Sequence, residues 1–122
     1  SGREHGFAVE VWDESRLAAE RMNSLLGVAR GSTRPARLAV LRYAGNPGGP
    51  TLGLVGKGVT FDSGGLSLKP TDGMVDMKCD MAGGAAVVAT LTALAKNKLP
   101  LHVVGLIPAT DNRPGEDAYT PG

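Results

Sequence analysis

Residues 55–80 read VGKGVTFDSGGLSLKPTDGMVDMKCD, and four charged positions in that stretch, Lys57, Asp62, Lys69 and Asp80, set the reading of the whole chain. Their surroundings are rich in Gly, Val, Leu, Ser and Met. The stretch reads as the end of an apolar strand, a glycine-rich loop and the start of a helix. Charges held at the end of an apolar strand cost free energy unless they are paired or bind a metal. Two carboxylates and two lysines in this order point to a carboxylate-bound metal site with one lysine left over for chemistry.

Working outward, residues 52–59 form an expected strand, apolar on both faces except for Lys57, as suits a central strand covered on both sides. Gly-Gly and Pro punctuation makes 60–79 a long loop, and loops of that length inside a domain are usually functional or mobile. Residues 81–96 carry Val87, Val88, Leu91, Leu94 and Ala95 at helical spacing, a stripe suited to packing on a sheet. Lys96 and Lys98 flank its C-terminal end, where cations are favoured. A further strand is expected at 101–107. Upstream, 7–12 alternate apolar and polar as a half-buried strand does. Asp13 offers an N-cap and Glu14 an acidic first turn for a helix over 14–26. A loop at 31–37, a strand at 38–43 and a turn at 44–50 complete the pattern. Strands alternating with helices imply an α/β fold: a layered mixed sheet flanked by helices, in one domain over 1–122.

The bulk properties exclude several classes. The 122 residues suffice for one domain with a modest core, and the net charge is +1, from 13 basic and 12 acidic residues. That balance leaves no electrostatic footprint for nucleic acid or an anionic membrane. Cys79 is the one cysteine, so no internal disulfide forms, and a soluble cytoplasmic protein is expected. The sequence presents no apolar run read as long enough for a membrane span and no signal-peptide pattern. The chain opens at Ser1 and closes at Ala118-Tyr119-Thr120-Pro121-Gly122, and both ends are expected to be cut. Nucleotide motifs fail on inspection. A phosphate-binding loop needs Gly where Thr51 stands and Ser or Thr where Gly58 stands, and a dinucleotide fingerprint needs Gly in place of Phe61.

The central stretch resembles the leucyl aminopeptidase (cytosol aminopeptidase) family. The resemblance is carried by Val55-Gly56-Lys57-Gly58, Thr60-Phe61-Asp62-Ser63-Gly64-Gly65, Ser67-Leu68-Lys69-Pro70 and Met77-Lys78-Cys79-Asp80-Met81. It continues through Val104-Gly105-Leu106-Ile107-Pro108-Ala109-Thr110, and more weakly reaches back to residues 25–32. It implies a zinc-peptidase-like fold and a dinuclear metal-dependent exopeptidase that releases N-terminal, leucine-like residues from peptides. Mn²⁺ or Zn²⁺ is implied at the two metal positions, with Mg²⁺ also compatible. A homo-hexamer is implied for the full-length protein, in the cytoplasm, without membrane or nucleic acid. The family's second signature, Asn-Thr-Asp-Ala-Glu-Gly-Arg, carries two further carboxylate ligands and a catalytic arginine. It does not occur here, and Gly115-Glu116-Asp117-Ala118 does not match it. The chain thus corresponds to the first half of the catalytic domain and is expected to bind metal weakly and to be inactive alone. Some members of the family also serve as DNA-binding accessory proteins, so a scaffold role is the alternative.

Each singled-out residue has a plainer reading. Asp62 in Asp-Ser-Gly-Gly is ordinary turn chemistry; the resemblance makes it a bridging metal ligand. Asp80 is placed to cap a helix beginning at Met81; the resemblance makes it a ligand. Lys57 is either a strand-end lysine reaching water or, as the resemblance implies, a neutral amine bound to metal. The latter requires a lowered pKa, which burial and an adjacent dication would supply. Lys69 is either a solvated loop lysine or the cation that polarises the substrate carbonyl and stabilises the developing oxyanion. Lys78 and Cys79 read as structural, His102 as a satisfied core or edge residue, and Gly83 and Gly84 as permitting close backbone approach to the loop.

Overall fold

In the computed structural model, which describes residues 2–122, the chain runs α1 (Gly2–His5), β1 (Ala8–Trp12), α2 (Glu14–Ala19), α3 (Asn23–Ala29), β2 (Arg37–Ala44), β3 (Thr51–Val55), β4 (Gly58–Asp62), α4 (Thr71–Met74), a 3₁₀ turn (Met77–Cys79), α5 (Ala82–Lys96) and β5 (His102–Asn112). The strand β5 is the spine. On one side it pairs antiparallel with β2, which pairs antiparallel with β1. On the other it pairs in parallel with β3 over its first half and with β4 over its second. A mixed sheet with helices on both faces results, as the alternation of elements implies.

The period-2 pattern of the central strands feeds two cores. Leu41 and Tyr43 of β2 and Val103 and Ile107 of β5 pack under α5 with Val87 and Leu91. Leu38 and Val40, on the opposite face of β2, pack with Leu17, Ala29 and Ala36 beneath α2 and α3. Burying a side chain such as Leu91 contributes roughly 1.5–3 kcal/mol. Asp13 caps α2 as expected, its carboxylate accepting from the Arg16 N–H at 2.9 Å.

Four expectations need correction. The helix over 14–26 is two helices, because Arg21 takes a left-handed φ of 57° between α2 and α3. The last strand runs five residues past 107, to Asn112. Thr60–Asp62 belong to β4 rather than to the long loop. Finally, Thr71–Lys96 is, by length and composition alone, apolar enough to cross a membrane, which the sequence reading did not register. The fold breaks that stretch into α4, the 3₁₀ turn and α5, and α5 lays Gly84, Val87 and Leu91 on the sheet.

The strand expected over 52–59 is interrupted at Gly56 and Lys57, opposite Ile107 and Pro108 of β5. Proline has no N–H for the ladder. The Lys57 carbonyl instead accepts the Gly84 N–H of α5 at 2.7 Å. This brings backbone against backbone: a Cβ on Gly56 would sit 2.3 Å from the Gly83 carbonyl oxygen, and one on Gly83 2.9 Å from the Lys57 nitrogen. The close approach expected of Gly83 and Gly84 is real, but it is made to this strand break and not to the loop.

Gly56→Ala is expected to lower unfolding free energy by roughly 1–3 kcal/mol through overpacking. Gly27→Ala in α3, where a Cβ meets nothing within 4 Å, is expected to add about 0.5–1 kcal/mol. Urea unfolding of both variants checks this, and equal stability of the two would contradict the packing at Gly56.

Candidate metal centre

The break at Gly56-Lys57 puts the Lys57 side chain at the C-terminal end of β3, where the end of β4 brings Asp62 and the end of the 3₁₀ turn brings Asp80. Gly64 and Gly65 take positive φ values of 90° and 73°, which L side chains rarely adopt, and this folds Ser63–Gly65 back on the end of β5. Ser63 donates both its N–H and its hydroxyl to the Asn112 carbonyl, at 2.9 and 2.7 Å. Asp62 is thereby held at the sheet edge with its side chain mostly buried.

All four expected residues come together. Lys57 Nζ lies 2.7 Å from Asp80 Oδ2 and 3.8 Å from Asp62 Oδ2. Lys69 Nζ lies 3.2 Å from the same Asp62 oxygen. The 2.7 Å contact is a close ion pair, and Lys57 Nζ is the partner of the buried Asp80 Oδ2. Asp80 is not a helix cap: it ends the 3₁₀ turn, and α5 starts after Met81 with no side-chain cap at all. Asp62 Oδ1 does take its turn role, accepting from the Gly64 N–H at 2.9 Å, while Oδ2 faces the lysines.

The electrostatics follow from these contacts. Burial alone would push the Asp62 carboxyl up, but the Gly64 N–H, the Asn112 amide and Lys69 together hold it below its usual range. Asp80, and less strongly Asp62, raise the Lys57 ammonium above its ordinary value against a smaller effect of burial. With only the chain's own charges acting, the half-exposed lysine is a cation paired to two carboxylates.

The donor set fits a divalent cation in part. Two shielded carboxylate oxygens converge on one amine, and hard oxygen donors suit Mn²⁺, Mg²⁺ or Zn²⁺. Among the described residues no group of three His, Cys, Asp or Glu side chains is placed to hold a metal. Lys78 donates to the Gly122 carbonyl and Cys79 is exposed, which leaves both outside the cluster. His102 Nδ1 is buried without a partner, so the histidine is not the satisfied residue expected. An open apolar groove of about 550 Å³ lies between α3 and β3–β4, lined by Met22, Leu25, Val28, Val55 and Val59 with Lys57 at its rim.

Two functional-looking features escaped the sequence reading. Asn112 donates its amide to Asp62 Oδ1 at 2.7 Å. Asp111, only 1% exposed, receives hydrogen bonds from the Thr60 hydroxyl, from Arg113 Nε at 3.1 Å and from Ser32 at 3.5 Å. Arg113 then reaches the Ala118 carbonyl and the Thr120 hydroxyl at 2.7 and 2.6 Å, which secures the segment after β5. The available signal was Asp111-Asn112-Arg113 following an apolar run, the same strand-end placement that drew attention to Asp62.

Comparison with known proteins places the chain in a family. The model of the catalytic domain of the cytosol aminopeptidase family matches residues 1–122. A probable cytosol aminopeptidase of Rhodopirellula baltica is 56% identical over 117 residues, covering 96% of this chain and 23% of its own length. The crystal structure of cytosol aminopeptidase from Coxiella burnetii superposes with a TM-score of 0.85 at 36% identity, over 91% of this chain and 24% of that one. The bottromycin maturation enzyme BotP in complex with Mn superposes with a TM-score of 0.84 at 44% identity, over 98% and 26% of the respective chains. The chain therefore spans about a quarter of the length of the relatives it matches.

The Asp111–Arg113 pair makes a prediction about acid stability. Burial alone would raise the Asp111 carboxyl, but Thr60 and Arg113 outweigh it and hold it below its usual range. A lowered folded-state pKa contributes stability above the unfolded value of about 3.9, and that stability is lost as pH falls through the folded value. Arg113→Ala raises the folded value toward the unfolded one, so the variant is expected to lose less stability on acidification than the wild type. At pH 7 the variant is expected to lose roughly 2 kcal/mol, the scale of a hydrogen bond to a charged group. Urea unfolding across a pH series reads both, and a profile parallel to the wild type would rule the pair out as a stabilising one.

Proposed function

The chain belongs to the cytosol aminopeptidase family, and from that premise we propose that it carries one part of a divalent-metal aminopeptidase site acting on the N-terminal residue of peptides, leucine-like residues being preferred. The observation that carries the reading is the convergence of Asp62 Oδ2 and Asp80 Oδ2 on Lys57 Nζ, with Lys69 beside Asp62. The Mn carried by the similar BotP structure supports a divalent ion here.

In this reading Asp62, Asp80 and Lys57 would hold the metal ions. When bound, the ions supply Lewis-acid polarisation of the scissile carbonyl and activation of water. To become a ligand, Lys57 gives up the proton it holds against Asp80, so metal binding releases a proton. Lys69, still protonated, keeps a donor beside Asp62 at which an oxyanion on the substrate carbonyl is stabilised.

Two carboxylates and one amine do not close two metal sites, and no third acidic or histidine donor lies with them among the described residues. The chain by itself is therefore assigned weak metal binding and no turnover. Leucine p-nitroanilide is expected to remain intact with the chain and added Mn²⁺ or Zn²⁺. Asp62→Asn and Asp80→Asn are each expected to remove the residual Mn²⁺ binding, read by the EPR signal of the free ion, while circular dichroism stays unchanged. Chelator-sensitive hydrolysis, or tight binding of two ions per chain, would overturn the assignment of a partial site.

A further inference from the structure

The side chain that aims Asp62 comes from the neighbouring strand, 50 positions away in the chain. In the pairing of β4 with β5, Val59 stands opposite Thr110 but Phe61 stands opposite Asp111, so Thr60 is an extra residue, a β-bulge. Bulges re-aim the side chains that follow them. Without it Asp62 would lie one position further along β5, on the other side of the pleat from Asn112. With it, Asp62 pairs in register with Asn112.

Asn112 is itself clamped. Its amide nitrogen donates to Asp62 Oδ1 at 2.7 Å, and its carbonyl holds Ser63 twice. A Cβ on Gly65 would lie 2.9 Å from Asn112 Oδ1, so the turn packs directly on the amide. An ionised carboxylate only accepts, which sets the orientation of the amide. On either side Asp111 and Arg113 anchor the strand end through Thr60, Ser32 and Thr120.

Asp62 Oδ1 thus carries two hydrogen bonds, from Gly64 and Asn112, and Oδ2 is left to face the ammonium groups of Lys69 at 3.2 Å and Lys57 at 3.8 Å. We propose that Asn112 is a positioning residue of the metal centre, its amide fixing the Asp62 carboxylate so that Oδ2 is the oxygen presented to the metal. The proposal rests on the assignment of Asp62 as a ligand. Groups that orient a ligating carboxylate typically contribute 10–100-fold to metal affinity.

The test measures Mn²⁺ affinity of the 122-residue chain by EPR, for wild type, Asp62→Asn, Asn112→Leu and Asn112→Ala. Leucine nearly preserves the volume of asparagine without its donor, and alanine serves if leucine disturbs the fold, as monitored by circular dichroism. Both Asn112 variants are expected to bind at least about tenfold more weakly. At saturating metal, their bound-Mn²⁺ spectrum is expected to differ from wild type, a change that general loosening of the loop would not produce. If Asp62→Asn abolishes binding but the Asn112 variants bind within twofold of wild type with an unchanged spectrum, the role of Asn112 is overturned. If wild type does not bind, or binds equally well as Asp62→Asn, the ligand assignment fails first and the proposal falls with it.

Discussion

The Lys57 carbonyl, turned out of the sheet to accept the Gly84 N–H at 2.7 Å, ties together the parts of the molecule that matter. An α-helix leaves its first N–H groups without intrahelical partners, and α5 has no side-chain cap to satisfy them. A strand break leaves a carbonyl without a ladder partner. Here each supplies what the other lacks. The contact needs glycine on both sides, because a Cβ on Gly56 would meet the Gly83 carbonyl at 2.3 Å. It also seats the start of α5, and therefore Asp80 just ahead of it, beside the Lys57 side chain.

From that seating the charges follow. Asp62 and Asp80 are largely shielded, whereas Lys57 is more than half exposed. Two carboxylates at this depth cost desolvation energy, which the ammonium groups of Lys57 and Lys69 offset. The raised Lys57 and lowered Asp62 pKa values express one arrangement from its two sides. The same carboxylate oxygens would serve a divalent cation, so ammonium and metal compete for one place. Asp111 shows the contrasting case: its charge is neutralised by Arg113 and hydrogen-bonded by Thr60, which stabilises the strand end.

Much of this was legible in the residues. The stripe of α5, the cap at Asp13, the alternation in β2 and the four charges of the central stretch were all readable, since each depends on neighbours a few positions away. The misplaced features share a different cause. Arg21 splits a helix that periodicity alone would continue. The break at Lys57 exists because of α5 and Pro108. Asp80 reads equally as a cap until the start of α5 is known. That Lys57 pairs with two carboxylates and stays more than half exposed could not be seen from its own surroundings in the chain.

Sequence by itself determined the chemical inventory, the layered α/β class and the family resemblance, because side-chain periods and short motifs are local properties. Tertiary structure alone decided which atoms meet. Asn112 reaches Asp62 across 50 positions of chain, and Thr60 reaches Asp111 across 51. Both contacts depend on the register of β4 against β5 and on a single extra residue at the bulge. Register is set by pairing and packing summed over whole strands, so no window of sequence around either residue contains it.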